Sequence, residues 1–166
     1  SHSVNAIVLL DTSIYLNVLD VPGRNQEREQ VFNVFEERVR CDDLFLLPMA
    51  TIWETGNHIS RLENGSMRRK YAQILAANVQ SALNGEAPFR ATYFPESSVF
   101  AEWLRSFPDT AQRNKSHDKT NEGTSLSDHS IIKEWERMRA LNPMSRVLVW
   151  SLDSDLAAYD TGTTVK

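Results

Sequence analysis

Apolar positions follow two patterns along the chain. Short continuous apolar runs at residues 6–10, 44–47 and 146–150 have the length of buried strands in a parallel sheet. Apolar residues spaced three or four positions apart predict helices at residues 26–39, 51–62, 67–83, 96–107 and 125–141. Shorter helical turns are predicted at 13–19 and 155–159, and a last strand at 163–165. Residues 20–25, 86–95 and 108–124 are predicted loops, the last of them polar and mobile.

The alternation of strands and helices predicts one α/β domain over residues 1–166, with helices on both faces of a mainly parallel sheet. In such sheets, binding and catalytic residues lie beyond the carboxyl ends of the strands. Residues 1–5 are expected to be an expression remnant or disordered, and they carry no inference.

Composition narrows the class of protein. A hydrophobic share of 41% and a charged share of 24% are typical of a globular domain. No apolar run approaches the roughly 20 residues that cross a bilayer, so no membrane association is expected. A lone cysteine, Cys41, excludes an internal disulfide and a cysteine zinc site, and a cytoplasmic location is expected. The net charge of -4 counts against simple backbone binding to nucleic acid, and less against a metal-dependent nuclease.

Four acids are predicted to meet at one edge of the sheet. Asp11 follows the first strand and Asp153 follows the last of the three clear strands, so parallel strands bring both to the same edge. Glu54 and Asp128 fall in the first turns of predicted helices. Clustered carboxylates repel one another, and a hard cation such as Mg²⁺ or Mn²⁺ removes that repulsion.

Each acid also has a purely structural explanation. Helix caps, capping boxes and turns all favour acidic residues, and for any single acid this explanation is the more frequent one. The candidate caps and boxes are Asp11, Thr51 with Glu54, and Ser125 with Asp128; the candidate turn residues are Asp153 and Asp155. Capping does not explain why all of these acids fall at one edge.

The acidic segments, in their order and spacing, resemble those of the PIN domain. The matching segments are IVLLDTS at 7–13, ATIWE at 50–54, LSDHSII at 126–132 and LVWSLDSDL at 148–156. The resemblance implies a three-layer α/β/α sandwich and a metal-dependent ribonuclease that leaves a 5′-phosphate and a 3′-hydroxyl. It also implies a toxin of a toxin–antitoxin pair, with an antitoxin protein as partner and a homodimer as the common assembly.

Carried over position by position, the resemblance assigns the catalytic and metal-site acids to Asp11, Glu54, Asp128 and Asp153, with Mg²⁺ or Mn²⁺ as cofactor. Asp11, Asp128 and Asp153 are expected to hold the metal. Glu54 is expected to orient the water or hold a second metal. Additional candidates beside the site are Asp155, Ser151 and Thr12.

Basic and aromatic residues supply further candidates. His58 and Arg61 share a helical stripe with Glu54 and are candidate phosphate contacts, although a solvated face is the more frequent explanation. The same holds for the basic runs Arg68-Arg69-Lys70 and Arg113, Lys115 and Lys119. Trp53, Trp103 and Trp135 are expected to pack in the core, Trp150 has a better claim to stack on a base, and His129 is expected to be structural.

The sequence therefore predicts a divalent-metal-dependent endoribonuclease. The alternative is a PIN-fold module that binds RNA or protein without cutting. A haloacid-dehalogenase phosphatase needs a second Asp where Ser13 stands, and the phosphate-loop motif is absent. Compared with the smallest toxins of this family, the chain is longer, mainly within residues 85–124.

Overall fold

The computed structural model describes residues 5–86, 88–92 and 94–163. The elements in chain order are β1 (Ile7–Leu10), α1 (Thr12–Val18), α2 (Arg28–Arg40), β2 (Leu44–Leu47), α3 (Met49–Ile59), α4 (Gly65–Leu83), β3 (Phe89–Ala91), α5 (Ser97–Gln112), α6 (Leu126–Leu141), β4 (Val147–Trp150) and α7 (Ser154–Ala157). A 3₁₀ turn follows at Thr161–Thr163. No helix in the described ranges is long and apolar enough to span a membrane.

The four strands form one parallel sheet in the order β3-β2-β1-β4. In register, Val8 of β1 lies between Phe45 of β2 and Leu148 of β4. β1 is central and every one of its side chains is buried, which explains its uninterrupted apolar sequence. The chain leaves β1 towards β2 and later returns to its other side with β4, so the strand order reverses between β1 and β4.

Helices cover both faces of the sheet, which confirms the predicted three-layer α/β/α architecture. Alternate strand residues such as Val8 and Leu10 pack into a core with side chains of α1 to α4. The intervening residues, such as Leu9, pack on the opposite face against α6 and α7, where Trp135 is buried. α5 packs on α6 as an outer element.

Two ion pairs join the segments at the amino edge of the sheet. Arg38 Nη1 lies 3.4 Å from Asp43 Oδ2, and Asp43 Oδ1 accepts a hydrogen bond from the backbone N–H of Ala6 at 3.0 Å. Arg146 Nε and Nη2 donate to the two carboxylate oxygens of Asp160 at 3.0 and 2.7 Å. The first set of bonds fixes the start of β1 relative to the start of β2, and the second fixes the start of β4 relative to the segment that follows α7.

The largest differences from the sequence prediction fall in three segments, and α3 is also shifted, to Met49–Ile59 from the predicted 51–62. The predicted loop 86–95 contains β3, an edge strand of three residues. α5 continues through Pro108 to Gln112, so only residues 113–124 of the predicted mobile loop 108–124 are non-helical. Pro108 cannot donate to the Leu104 carbonyl, but Leu104 is 42% exposed, so water can solvate that carbonyl. Thr163 lies in a 3₁₀ turn and not in the predicted strand 163–165, whose other residues lie outside the described ranges.

The structure buries three of the four tryptophans and exposes the fourth, which differs from the prediction. Trp103 and Trp135 are buried in the core as predicted. Trp53 was expected in the core but is 68% exposed, in a groove that it lines together with Phe100 of α5 and Leu126 of α6. Trp150, which had the better claim to stack on a base, is buried and lies 6.4 Å from Phe45, ring centroid to ring centroid, so it packs in the core like Trp103 and Trp135.

Candidate functional site

Asp11 stands at the carboxyl end of β1, at the point where the strand order reverses. Its N–H donates to the Trp150 carbonyl at 2.9 Å, so the pairing of β1 with β4 continues up to this residue. Its carboxylate is buried and accepts hydrogen bonds from Ser151 Oγ at 2.7 Å and Ser13 Oγ at 3.0 Å, both on Oδ2. Although Asp11 occupies the N-cap position of α1, its side chain makes no capping bond. Helix capping therefore does not explain this carboxylate.

The two serines also hold the segment that follows β4. Ser13 Oγ accepts a hydrogen bond from the Leu152 N–H at 3.0 Å, and Ser151 Oγ accepts one from the Asp153 N–H at 2.9 Å. One hydroxyl network thus connects Asp11 to the turn that carries Asp153.

Asp153 has a structural bond as well as free carboxylate surface. Its Oδ1 accepts a hydrogen bond from the Asp155 N–H at 2.9 Å and caps the short helix α7, as the turn explanation predicts. Burial raises the pKa of Asp153, but the Asp155 N–H and the ammonium groups of Lys115 and Lys119 outweigh burial, and the net direction is downward. The carboxylate is therefore held in its ionised form.

Asp128 lies in the first turn of α6 and faces the same cluster. The N-cap Ser125 accepts a hydrogen bond from the Asp128 N–H at 3.1 Å, which confirms the cap predicted there. Burial raises the pKa of the Asp128 carboxyl, and the nearby charge of Asp11 raises it further. Asp11 and Asp128 are thus close enough to repel each other.

Two lysines from residues 113–124 lie among these acids. Lys115 Nζ is 3.4 Å from Asp128 Oδ2 and 3.4 Å from Asp153 Oδ2. Lys119 Nζ is 3.4 Å from Asp153 Oδ1 and 3.1 Å from Asp155 Oδ2. The Lys115 side chain is only 17% exposed, so the solvated-surface explanation is wrong for this residue. Burial lowers the pKa of Lys115, but Asp128 and Asp153 outweigh it and the net direction is upward.

Glu54 contacts Ser127 where α3 packs against α6, and it is not among the residues that contact Asp128 in the described part of the chain. α3 begins at Met49, so Glu54 falls in its second turn and the predicted capping box with Thr51 is wrong. Thr51 Oγ1 instead donates to the Leu10 carbonyl at 2.6 Å, which fastens α3 to the end of β1. Glu54 Oε2 accepts a hydrogen bond from Ser127 Oγ at 3.0 Å, one residue before Asp128.

A basic group adjoins Glu54. Burial lowers the pKa of the half-buried His58 imidazole, the charges of Arg24 and Arg61 lower it further, and Glu54 opposes them. Arg24 was not predicted, because it belongs to the loop between α1 and α2 and shares no helical stripe with His58. The arginines are exposed, so the group is open to a ligand.

Thr12 and His129 are the remaining residues near the site that the sequence analysis singled out. Thr12 is half-buried at the first position of α1, next to Asp11. His129 is buried, with Nε2 2.9 Å from the Trp103 carbonyl oxygen and 3.1 Å from Ser106 Oγ. Its predicted structural role is therefore confirmed.

The oxygen-only donors at this edge suit Mg²⁺ or Mn²⁺ in chemical type. Asp11, Asp128 and Asp153 supply carboxylates and Ser151 a hydroxyl. As placed, no three His, Cys, Asp or Glu side chains in the described part of the chain are gathered closely enough to hold a metal ion. The ammonium group of Lys115 lies between Asp128 and Asp153. The donor types fit the cation, and binding requires Lys115 to leave its present position.

Comparisons with known proteins identify the fold. No protein-family model and no curated protein matches the sequence. Among solved structures, the sarcin-ricin loop cleaving toxin VapC20 of Mycobacterium tuberculosis is similar at a TM-score of 0.57 and 11% identity, over 91% of this chain and 93% of that one. FitAcB from Neisseria gonorrhoeae is similar at a TM-score of 0.56 and 16% identity, over 92% of this chain and 91% of that one.

FitAB bound to an IR36 DNA fragment is similar at a TM-score of 0.56 and 16% identity, over 92% of this chain and 89% of that one. Identities this low bear on the fold alone. The near-complete coverage in both directions means that the whole domain, and not one βαβ unit, is shared. The chain has the PIN-like α/β/α fold that its four acidic segments predict.

Proposed function

We propose that this protein is a divalent-metal-dependent endoribonuclease that hydrolyses RNA phosphodiester bonds, as the toxin of a toxin–antitoxin pair. The observation that carries the proposal is that Asp11, Asp128 and Asp153 all lie at the carboxyl edge of the sheet, where Lys115 contacts both Asp128 and Asp153. They come from the ends of β1 and β4 and from the start of α6, segments that are far apart in sequence. Ligands of open α/β sheets bind at this reversal of strand order.

The electrostatics of the edge support a functional role. Half-buried acids that repel one another cost folding free energy, and a fold has no structural need to gather them. Burial raises the pKa of Asp128, and the charge of Asp11 adds to the rise. A bound divalent cation would offset it.

The catalytic roles follow from what each residue contacts. Asp11, Asp128 and Asp153 would hold the metal. When bound, a divalent metal polarises a phosphate oxygen and lowers the pKa of a coordinated water. Ser13 and Ser151 fix the Asp11 carboxylate through Oδ2, so its orientation is set before any ligand arrives. Glu54, held by Ser127, would orient the attacking water and accept its proton.

RNA as the substrate is supported by the basic group beside Glu54. Arg24, His58 and Arg61 can bind the phosphates that flank the scissile bond, next to the acid that orients the water. The similar fold of VapC20, a sarcin-ricin loop cleaving toxin, supports the same substrate class. An antitoxin protein and a homodimer complete the proposed setting.

The test is cleavage of 5′-labelled single-stranded RNA and of a structured RNA stem-loop with Mn²⁺, with Mg²⁺ and with EDTA. We expect cutting that needs the metal and that Asp128→Asn abolishes. Asp109→Asn is the matched control, because Asp109 is an exposed acid on α5 away from the sheet edge. Folded wild-type protein that neither cuts RNA nor binds Mn²⁺ in calorimetry would establish the alternative, a PIN-fold binding module.

A further inference from the structure

The two lysines at the acidic edge have no part in the proposed chemistry. Lys115 contacts Oδ2 of both Asp128 and Asp153, and Lys119 contacts Asp153 and Asp155. Lys115 thus joins an acid of α6 to the acid that follows β4, across the gap where the proposed metal ligands face each other.

The backbone of residues 113–124 holds the lysines in place. The Lys115 N–H donates to the Glu122 carbonyl at 2.8 Å, and the Lys119 N–H donates to the Ser116 carbonyl at 3.2 Å. Gly123 packs directly on α5: a Cβ at this position would lie 1.9 Å from the Ala111 carbonyl oxygen. Only glycine permits that approach, so the segment is folded against α5 and presents its lysines to the acids.

An ammonium group and a divalent cation compete for this position. A metal ion bound by Asp128 and Asp153 approaches their oxygens to about 2.0–2.2 Å. Lys115 uses an oxygen of each of the same two carboxylates. Two cations that close together repel strongly, so one excludes the other.

We propose that Lys115, assisted by Lys119, is a built-in counter-ion that competes with the divalent metal for Asp128 and Asp153, so that residues 113–124 set the metal affinity of the site. The inference rests on the metal site of the proposed function. Lysine suits this role, because its long flexible stem lets the ammonium move into solvent when the metal arrives.

Calorimetric titration of metal-stripped protein with Mn²⁺ tests the competition. We expect Lys115→Met to bind Mn²⁺ about thirtyfold more tightly than wild type, the change in affinity that corresponds to two ion pairs at the upper end of the range measured for exposed pairs. Lys133→Met is the matched control, because Lys133 also pairs with a carboxylate, Glu136 on the same helix, away from the acidic edge. Its affinity should equal that of wild type.

The outcomes separate the competition from the metal site itself. If wild type binds Mn²⁺, Asp128→Asn does not, and Lys115→Met binds no more tightly than wild type, the competition is overturned and the metal site stands. If neither wild type nor Lys115→Met binds Mn²⁺, both fail. Binding by Lys115→Met alone would be the strongest support.

A second measurement uses wild-type protein and needs no variant to fold. Lysines are acylated briefly with an amine-reactive ester, with and without Mn²⁺, and each site is quantified by mass spectrometry. We expect Mn²⁺ to increase acylation of Lys115, because the metal displaces its half-buried ammonium into solvent, and to leave Lys133 unchanged. Equal acylation of Lys115 with and without Mn²⁺, at a concentration that saturates the site, overturns the proposal.

Discussion

The two edges of the sheet carry opposite kinds of ionic cluster. At the amino edge, Asp43 and Asp160 each face an arginine, and the Arg146 guanidinium binds both oxygens of Asp160. At the carboxyl edge, three acids share two lysines, Asp128, Asp153 and Asp155 with Lys115 and Lys119, and the neighbouring Asp11 is held by serine hydroxyls. Among the described residues, charge is balanced at the first edge and in excess at the second.

The difference is the one expected between a cluster that holds the fold together and a cluster with the proposed catalytic role. Arginine forms rigid, two-bond contacts with a carboxylate, and such pairs fasten the chain segments that precede the strands. Lysine contributes a mobile point charge. Burial raises the pKa of Asp160, but Arg146 outweighs it and the net direction is downward, whereas the pKa of Asp128 is raised. Arginine pairs neutralise the acids of the amino edge, and under the proposed function a divalent cation would replace the lysines at the carboxyl edge.

The largest expected effect is on catalysis. Asp11→Asn should lower RNA cleavage by about a hundredfold or more, because asparagine still accepts the Ser151 hydrogen bond but loses the charge that holds the metal. Asp160→Asn, the matched change at the opposite edge, should leave the cleavage rate of folded protein within about twofold. Initial rates on labelled RNA measure both. Equal losses in the two variants would contradict the division of roles.

Glu134, a buried acid that belongs to neither ionic cluster, shows what burial does to a carboxyl group outside both of them. Burial raises the pKa of Glu134 to about 7 from its ordinary 4.5, with Thr92 and Arg137 opposing. The folded state therefore binds the Glu134 proton more tightly than the unfolded state does. The stability that this protonation gives the fold is complete below pH 4.5 and is lost as the pH rises through about 7. Glu134→Gln should therefore be more stable than wild type above pH 7, by up to about 3 kcal/mol. Urea unfolding from pH 5 to pH 8 measures it; a gap between variant and wild type that does not change with pH would refute it.

Substitutions at the amino edge should lower the stability of the fold. Asp160→Asn should lower the free energy of unfolding by about 1–2 kcal/mol, because one of the two charge-assisted bonds to Arg146 is lost. Asp128→Asn in EDTA should cost less, since it relieves repulsion from Asp11. Urea unfolding compares the two. A greater loss for Asp128→Asn would reverse the assignment of the edges.

The smallest expected effect comes from removing the Ser151 hydroxyl, which donates a hydrogen bond to the Asp11 carboxylate. Ser151→Ala removes the hydrogen bond to Asp11 and the acceptor for the Asp153 N–H, so activity should fall about tenfold and stability by about 1 kcal/mol. Ser151→Thr keeps the hydroxyl and should restore most of both. Alanine and threonine variants with the same activity would exclude a positioning role.

The sequence predicts the fold wherever the local pattern is decisive. β1, β2 and β4 are buried on both faces and read as continuous apolar runs, so their location follows from composition. β3 has no continuous apolar run, because it is a three-residue edge strand whose central Arg90 is exposed. α5 passes through Pro108 because its outer side is solvated, which no local rule indicates.

The site is predicted less completely than the fold. Strand ends place Asp11 and Asp153 at one edge because parallel strands share a direction. No such rule places Lys115, which reaches the acids only through the folding of residues 113–124 and the close approach of Gly123 to α5. The exposure of Trp53 is equally non-local, since it depends on where α3 packs. The metal-binding and catalytic roles of the acids remain predictions for the experiments above.

The hydrogen bond between Ser151 and Asp11 joins residues 140 positions apart, and this separation has a consequence for synthesis. A ribosome releases β1 early and β4 late, so a nascent chain carries Asp11 long before Asp128 and Asp153 join it. Fragments that stop before β4 lack Asp153 and expose one side of the central strand. Under the proposed function, RNA cutting would therefore begin only when translation of the domain is nearly finished.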